Sequence, residues 1–327
     1  MIRINLNVLE QIESIGEKIK SMWSRLRARE SKLRTQESKS IERRAVNKLG
    51  EVLYYLILLF AALTFMFPVI YMLVNSLMDV GEVTVIYSAL SGAEGSEYMS
   101  IRLIPQEVSF MQYYNVLLRK PKFLVMFWNS VIATLPVILG QMIVGSMAAF
   151  SFSKIRFPFR DQIFFVYIIV MMLPFQVTLV PNYLILRRLN LLDTYWAIIL
   201  PGIFTTFGVF LLRQFMMLVP HEYSEASKID GAGFLTTFAR IVLPQCKSAL
   251  ASLAILSFID NWNMVEQPLI FLKNANMHPM SVFLRDINYS ELGLAFACGM
   301  LYMIPPVIIF FYGENHLVQG IQLSGIK

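Results

Sequence analysis

Four adjacent residues, Asp260, Asn261, Trp262 and Asn263, stand inside a run that is otherwise mostly apolar from Ser248 to Leu272. An ionisable side chain in such a run is costly and faces a cavity or a partner. The indole offers a stacking face, and the amides offer donors and acceptors for hydroxyl groups. The same four residues are also of the kind that ties one chain to a neighbour. Glu266, Gln141, Gln176 and Asn182 are further polar candidates in or beside apolar runs. Covalent chemistry is not expected. His221, His278 and His316 fall at or beyond the ends of apolar runs, and no H-E-x-x-H occurs. There is no G-x-x-x-x-G-K-S/T phosphate loop. Cys246 and Cys298 give neither a disulfide framework nor a metal spacing. No catalytic residue and no metal ligand is therefore assigned.

The elements that position these residues follow from composition. The chain has 327 residues, 56% hydrophobic and 15% charged, against about 25% charged in a soluble domain. Six segments are apolar enough to cross a membrane: 52–78, 123–153, 162–186, 194–212, 248–272 and 292–313. The fold class is an all-α polytopic membrane protein with six transmembrane helices. Pro68, Pro136, Pro174, Pro181, Pro201, Pro268, Pro305 and Pro306 fall within these runs and kink or shape the bundle. Charge is uneven. Residues 1–50 hold 12 Lys/Arg against 6 Asp/Glu, and the rest of the chain holds 16 of each. A basic segment before the first span marks the cytoplasmic side and puts both termini there. Nucleic acid is not an expected partner, since the rest of the chain is built for lipid. Within residues 1–50 the spacing of Leu6, Leu9, Ile12, Ile15, Ile19, Met22, Trp23 and Leu26 suits an amphipathic helix lying on anionic headgroups. A solvated tail is the alternative. With no signal-peptide core in the first 25 residues, the first span reads as a retained anchor. The domains are thus 1–50, a basic amphipathic segment, and 51–327, a six-span unit with a cytoplasmic loop at 220–247.

That loop contains EASKIDGAGFLTTFARIVLP, Glu225 to Pro244. Residues 222–229 suit a short helix with Glu222 and Glu225 in its first turn, where the helix dipole favours acid. Ala226 is small enough for close approach to a partner. Gly231 and Gly233 break the helix, since glycine takes positive φ readily. Phe234 to Val242 forms a second short helix, and Pro244 stops it. The expected result is a bent, rigid helical element projecting from the membrane.

The stretch resembles the EAA loop of ABC-importer permeases, with Glu225, Ala226, Ser227, Asp230, Gly231, Ala232, Ile241, Leu243 and Pro244 in the places of that pattern. The resemblance covers about residues 52–327. Asn129-Ser130 is similar to the family's N-S pair, and residues 150–158 (FSFSKIRFP) to its A-F-x-x-x-x-F-P turn. Residues 189–201 (LNLLDTYWAIILP) and 210–220 (FLLRQFMMLVP) resemble the segments flanking its fourth span. Trp262-Asn263 with Pro268-Leu269 is similar to its W-N…P-L pattern, and residues 318–327 to its terminal V-x-G-x-x-x-G-x-K. Ser227 replaces an alanine, Ser248 stands where many members have proline, and Glu314-Asn315-His316 departs from a basic pair.

The best resemblance is to the second permease subunit of maltose-type carbohydrate importers. It implies a bacterial inner-membrane, multi-pass subunit without enzymatic activity. The implied partners are a second homologous permease, a cytoplasmic ATPase dimer holding ATP and Mg, an extracytoplasmic solute-binding protein, and membrane lipid. The implied substrate is a sugar or oligosaccharide. Glu222, Glu225, Ala226, Ser227, Asp230, Gly231, Ala232 and Gly233 would couple to the ATPase. Asp260, Asn261, Trp262 and Asn263 would line the translocation path, with Trp262 stacking on a sugar ring. The external loop 274–291 occupies the place of one that reaches into the binding protein in maltose-type importers. Alternatives are the same role for a polyol or sugar phosphate, or an ion-coupled secondary transporter with Asp260 as coupling carboxylate.

Overall fold

The computed structural model describes residues 22, 48, 50–87, 102–119, 121–285 and 291–325, with side chains to 315 in the last helix. Apart from residues 22 and 48, the amphipathic segment expected at 1–49 lies outside the described residues, as do residues 88–101 and the side chains of the terminal motif at 318–327. Contacts divide the chain into two units, Met1–Ile70 and Tyr71–Lys327. Helix α1, Gly50–Ser76, begins in the first. Its residues 51–60 are all exposed, an apolar surface suited to lipid or another chain.

The regular structure of the second unit's described part is helical, apart from one isolated bridge between Met78 and Val108. After α2 (Val80–Tyr87) and α3 (Met111–Tyr114, running into a π-turn at Asn115–Arg119) comes α4, Pro121–Lys154. Its 34 residues make a rod about 50 Å long. It packs on α7 (Trp196–Ile203), α8 (Thr206–Leu218) and α12 (Lys247–Trp262), and α12 packs on α15 (Leu292–Gly325). Glycines permit the closest approach: a Cβ on Gly140 would stand 2.3 Å from Ile203, and one on Gly202 would stand 3.0 Å from Val137.

Four helices are long and apolar enough to cross a membrane: Gly50–Ser76, Pro121–Lys154, Trp196–Leu218 and the start of α15. Two bent pairs bring the number to as many as six. The segment read as span 162–186 is α5 (Arg160–Met171) and α6 (Phe175–Arg188), set at 100°. Pro174 stands just before α6; its ring and missing N–H prevent α5 from continuing, and it holds Leu173 out of helical geometry. The segment read as 248–272 also divides. Helix α12 stops at Trp262; α13 (Glu266–Phe271) follows after three residues, and α14 (Met280–Arg285) comes before α15. Within the fourth span, Thr205 caps α8 by accepting from the Gly208 N–H at 3.1 Å.

Candidate functional site

The loop at 220–247 folds as two arms. Helix α9, His221–Ile229, ends in a full Schellman turn. The Ala232 N–H donates to the Ser227 carbonyl at 2.9 Å and the Gly231 N–H to the Lys228 carbonyl at 3.1 Å. Closing that turn requires Gly231 at φ +80°, as its sequence position led us to expect. Gly233 differs from expectation: its φ is −75°, and it is the extended residue before α10, Phe234–Thr237. The return arm continues through a π-turn, Phe238–Val242, and a short helix α11, Leu243–Gln245, then bends 79° into α12. Single π-turns of this kind occur frequently at functional sites.

Ser227, matched to an alanine of the EAA pattern, is buried and does not face outward. Its hydroxyl lies 2.8 Å from that of Thr237 and 2.9 Å from the Ser224 carbonyl, while Thr237 reaches the Gly233 carbonyl at 3.2 Å. A single hydroxyl–hydroxyl hydrogen bond thus bridges the arms from within. Glu222, Glu225, Ala226, Asp230 and Gly231 are exposed, and Ala232 is half-buried. The tip carries what sequence reading overlooked. Ile229 is 87% exposed, Leu235 72% and Phe234 59%, all beside the turn. The available signal was three large apolar residues bracketing a polar, glycine-containing turn.

The base of this element is embedded. Val242 and Cys246 are fully buried among Phe150 of α4, Leu212 and Met216 of α8, and Leu253 of α12, with Phe238 stacked obliquely on Phe150 at 5.3 Å. Arg213 of α8 fixes the neighbouring turn. Its Nε donates to the Phe152 carbonyl at 3.2 Å, an Nη reaches Asp161 at 3.4 Å, and the guanidinium lies 3.9 Å from the Phe164 ring centroid. The FLLRQF and FSFSKIRFP patterns therefore meet in one clamp.

At the opposite end of the bundle, two motifs converge on residues 271–280. Asn129 donates to the Asn276 and His278 carbonyls at 2.7 and 3.0 Å, and the Met280 N–H donates to Ser130 at 2.8 Å. Asp193, at φ 62°, accepts from the Lys273 and Asn274 N–H groups, and its own N–H donates to the Phe271 carbonyl at 2.9 Å. The described part of the segment expected as the last external loop is thus pinned to the bundle; residues 286–290 lie outside the described residues.

The polar cluster separates on inspection. Trp262 is 1% exposed, with Phe258 and Tyr302 stacked on it and the Phe127 ring set edge-on. Its Nε1 donates to the Tyr302 carbonyl, and the Tyr302 hydroxyl donates to the Trp262 carbonyl at 2.7 Å. No face remains for a sugar ring, which corrects that expectation: Trp262 joins α12 to α15. Asn261 turns back onto the Ser257 carbonyl of its own helix. Gln141 is also taken, donating to the Gly202 carbonyl at 2.7 Å between α4 and α7. Asp260, Asn263, Glu266 and Gln176 remain exposed, the last two in contact at 3.4 Å. Among the described residues no three His, Cys, Asp or Glu side chains come together as a metal site.

Residues 141–322 match the family described as binding-protein-dependent transport system inner membrane component. The chain is 31% identical over 221 residues to the sn-glycerol-3-phosphate transport system permease protein UgpE of Yersinia enterocolitica, covering 66% of this chain and 79% of that one. The UgpE protein of Salmonella choleraesuis is 32% identical over 204 residues, covering 61% and 73%. The fold is also that of a solved chain from a bacterial ABC transporter involved in the import of the acidic polysaccharide alginate. That likeness has a TM-score of 0.70 and 22% identity, covering 82% of this chain and 96% of that one. By this family match and these relatives, the chain belongs to the binding-protein-dependent transport system inner membrane components, as a multi-pass, non-catalytic ABC-importer permease.

Proposed function

We infer that this subunit forms half of the translocation pathway of an ATP-driven importer and receives its drive through residues 221–245. A second homologous permease supplies the other half. Two cytoplasmic ATPase domains dock on the arms, and an extracytoplasmic binding protein delivers solute to the opposite end. ATP and magnesium belong to the ATPase chains, since this sequence has no phosphate-cradling loop. Both termini then lie in the cytoplasm. One observation carries the reading: a tip with bare Ile229, Phe234 and Leu235 stands on a base packed into the core. Burying such a side chain against a partner is worth about 1.5–3 kcal/mol. The ATPase therefore gains by gripping the tip, and the packed base passes the displacement onward.

The path of that displacement is short. The return arm runs at Cys246 into α12, whose far end carries Asp260 and Asn263. Moving the arm moves the polar face. Carboxylates and amides on that face suit hydroxyl groups of a neutral sugar or oligosaccharide. They suit a phosphate less well, because Asp260 and Glu266 would repel it. The relatives named for sn-glycerol-3-phosphate favour the second reading, a phosphorylated polyol or sugar, with cations supplied by the other permease. Reconstitution with the partner chains tests both. ATP hydrolysis and uptake stimulated by one oligosaccharide support the first reading, and stimulation by sn-glycerol-3-phosphate alone supports the second. Uptake that follows an ion gradient without any ATPase overturns both and makes Asp260 the residue to study.

A further inference from the structure

The arms and the end of α4 enclose a cleft of about 250 Å³ lined by Phe150, Lys154, Ser224, Lys228, Phe234 and Thr237. We propose that this cleft is a binding site for a ligand carrying a phosphate or carboxylate on an apolar body, held between Lys154 and Lys228.

The charges make the case. Both lysines line one small cleft, and among the described residues neither has a carboxylate at ion-pairing distance. Glu222 acts on Lys154 only from beyond that distance. Lys154 donates to the Val219 carbonyl, which leaves two of its three N–H donors. Lys228 rests over the Phe234 ring at 5.7 Å from the centroid. Two lysines on one cleft, neither in an ion pair, leave positive charge there for an anion to neutralise. The Ser224 hydroxyl is a third polar group. It is buried at the same cleft and has no hydrogen-bond partner. An orphan hydroxyl beside two cations matches an oxyanion acceptor. The Phe150 and Phe234 rings then provide the surface for the apolar body of the ligand.

The placement gives such a ligand a consequence. One wall is the end of a spanning helix, and the others belong to both arms. An occupant ties α9 and α10 to α4, so binding and arm motion are coupled. The anionic group could come from a lipid headgroup at the membrane surface or from a soluble metabolite, and the chemistry of the cleft is common to both.

The test uses the full chain in phosphatidylcholine nanodiscs, with phenyl phosphate as probe. Phosphorus NMR gives the isotherm, and hydrogen exchange at 224–237 reports the arms. Saturable binding that slows this exchange is expected, with affinity falling about tenfold in Lys228→Met and by a smaller factor in Ser224→Ala. Lys228 is exposed, so its replacement leaves the fold standing; Lys154→Met also breaks the bond to Val219 and serves only as a second variant. Phosphatidylglycerol in the nanodisc separates the sources. Competition with the probe identifies a headgroup site, and unchanged binding identifies a soluble-anion site. The proposal is overturned if the probe does not saturate, or if Lys228→Met and Ser224→Ala leave its affinity unchanged. It also fails if the assembled complex excludes the probe, for then the ATPase fills the cleft.

Discussion

The two ends of this bundle are held in opposite ways. At the opposite end, residues 271–280 are fastened to Asn129, Ser130 and Asp193 by six hydrogen bonds, each joining side chain or backbone to backbone across distant sequence. At the arm end, α9 and α10 are fastened chiefly to each other, through the Gly231 turn and the Ser227–Thr237 bridge. Only the base of the return arm enters the core, and the tip is left bare. A surface that receives a docking protein gains from being fixed in advance, since ordering it on binding costs free energy. An element that is pushed gains from internal rigidity and a single packed base. Under the function proposed above, the difference in bonding fits a platform at one end and a lever at the other.

Variants break or sharpen this contrast. The largest effect is expected from Gly231→Pro. Proline fixes φ near −65°, whereas the turn needs +80° and uses this N–H. The local cost is about 3 kcal/mol or more. Binding-protein-stimulated ATP hydrolysis should be lost while the permease pair still assembles, read by size-exclusion chromatography. Next is Asn129→Ala, which leaves the Asn276 and His278 carbonyls unpaired for about 2 kcal/mol. Hydrogen exchange should accelerate across 275–280 and remain unchanged at 224–237. Gly231→Ala comes third. A Cβ there meets nothing within 4 Å, so only the backbone conformation is penalised, by about 1 kcal/mol. Coupling should be weakened but retained. The smallest is Ser227→Ala, about 0.5–1 kcal/mol from the bridge between the arms. Adding Thr237→Val should cost less than the two separate changes imply, because the lost contact is shared.

Much of this was legible in the sequence. Apolar run length gave the spans, and Glu225 with Gly231 gave a bent element with its turn at Gly231; Pro244, read as a stop, lies within α11, and the chain breaks at Cys246 instead. What escaped depends on direction and on partners. Composition assigns Trp262 to a polar cluster, yet its ring faces Phe258 and Tyr302; only the packing of α12 on α15 settles that. The third span reads as one apolar run, whereas Pro174 turns the chain by 100°. Neighbouring helices decide whether a proline kinks a helix gently or divides it. Ser227 reads as a conservative exchange for alanine, but burial beside Thr237 makes its hydroxyl a bridge. The motifs Asn129-Ser130 and Leu191-Leu192-Asp193 are far apart in sequence and meet only at residues 271–280. Ile229, Phe234 and Leu235 lie in the loop itself, and their significance came from exposure, which no pattern states.

The lever is tested most directly at its tip. Ile229→Ser with Leu235→Ser removes the bare apolar surface and leaves the Gly231 turn and the Ser227–Thr237 bridge intact. The permease pair carrying both changes should keep its melting temperature, and its affinity for the ATPase, measured by titration in nanodiscs, should fall at least about tenfold, with substrate-stimulated hydrolysis falling alongside. Unchanged affinity and unchanged stimulation would contradict the account, and would move the contact that drives this permease away from residues 221–245.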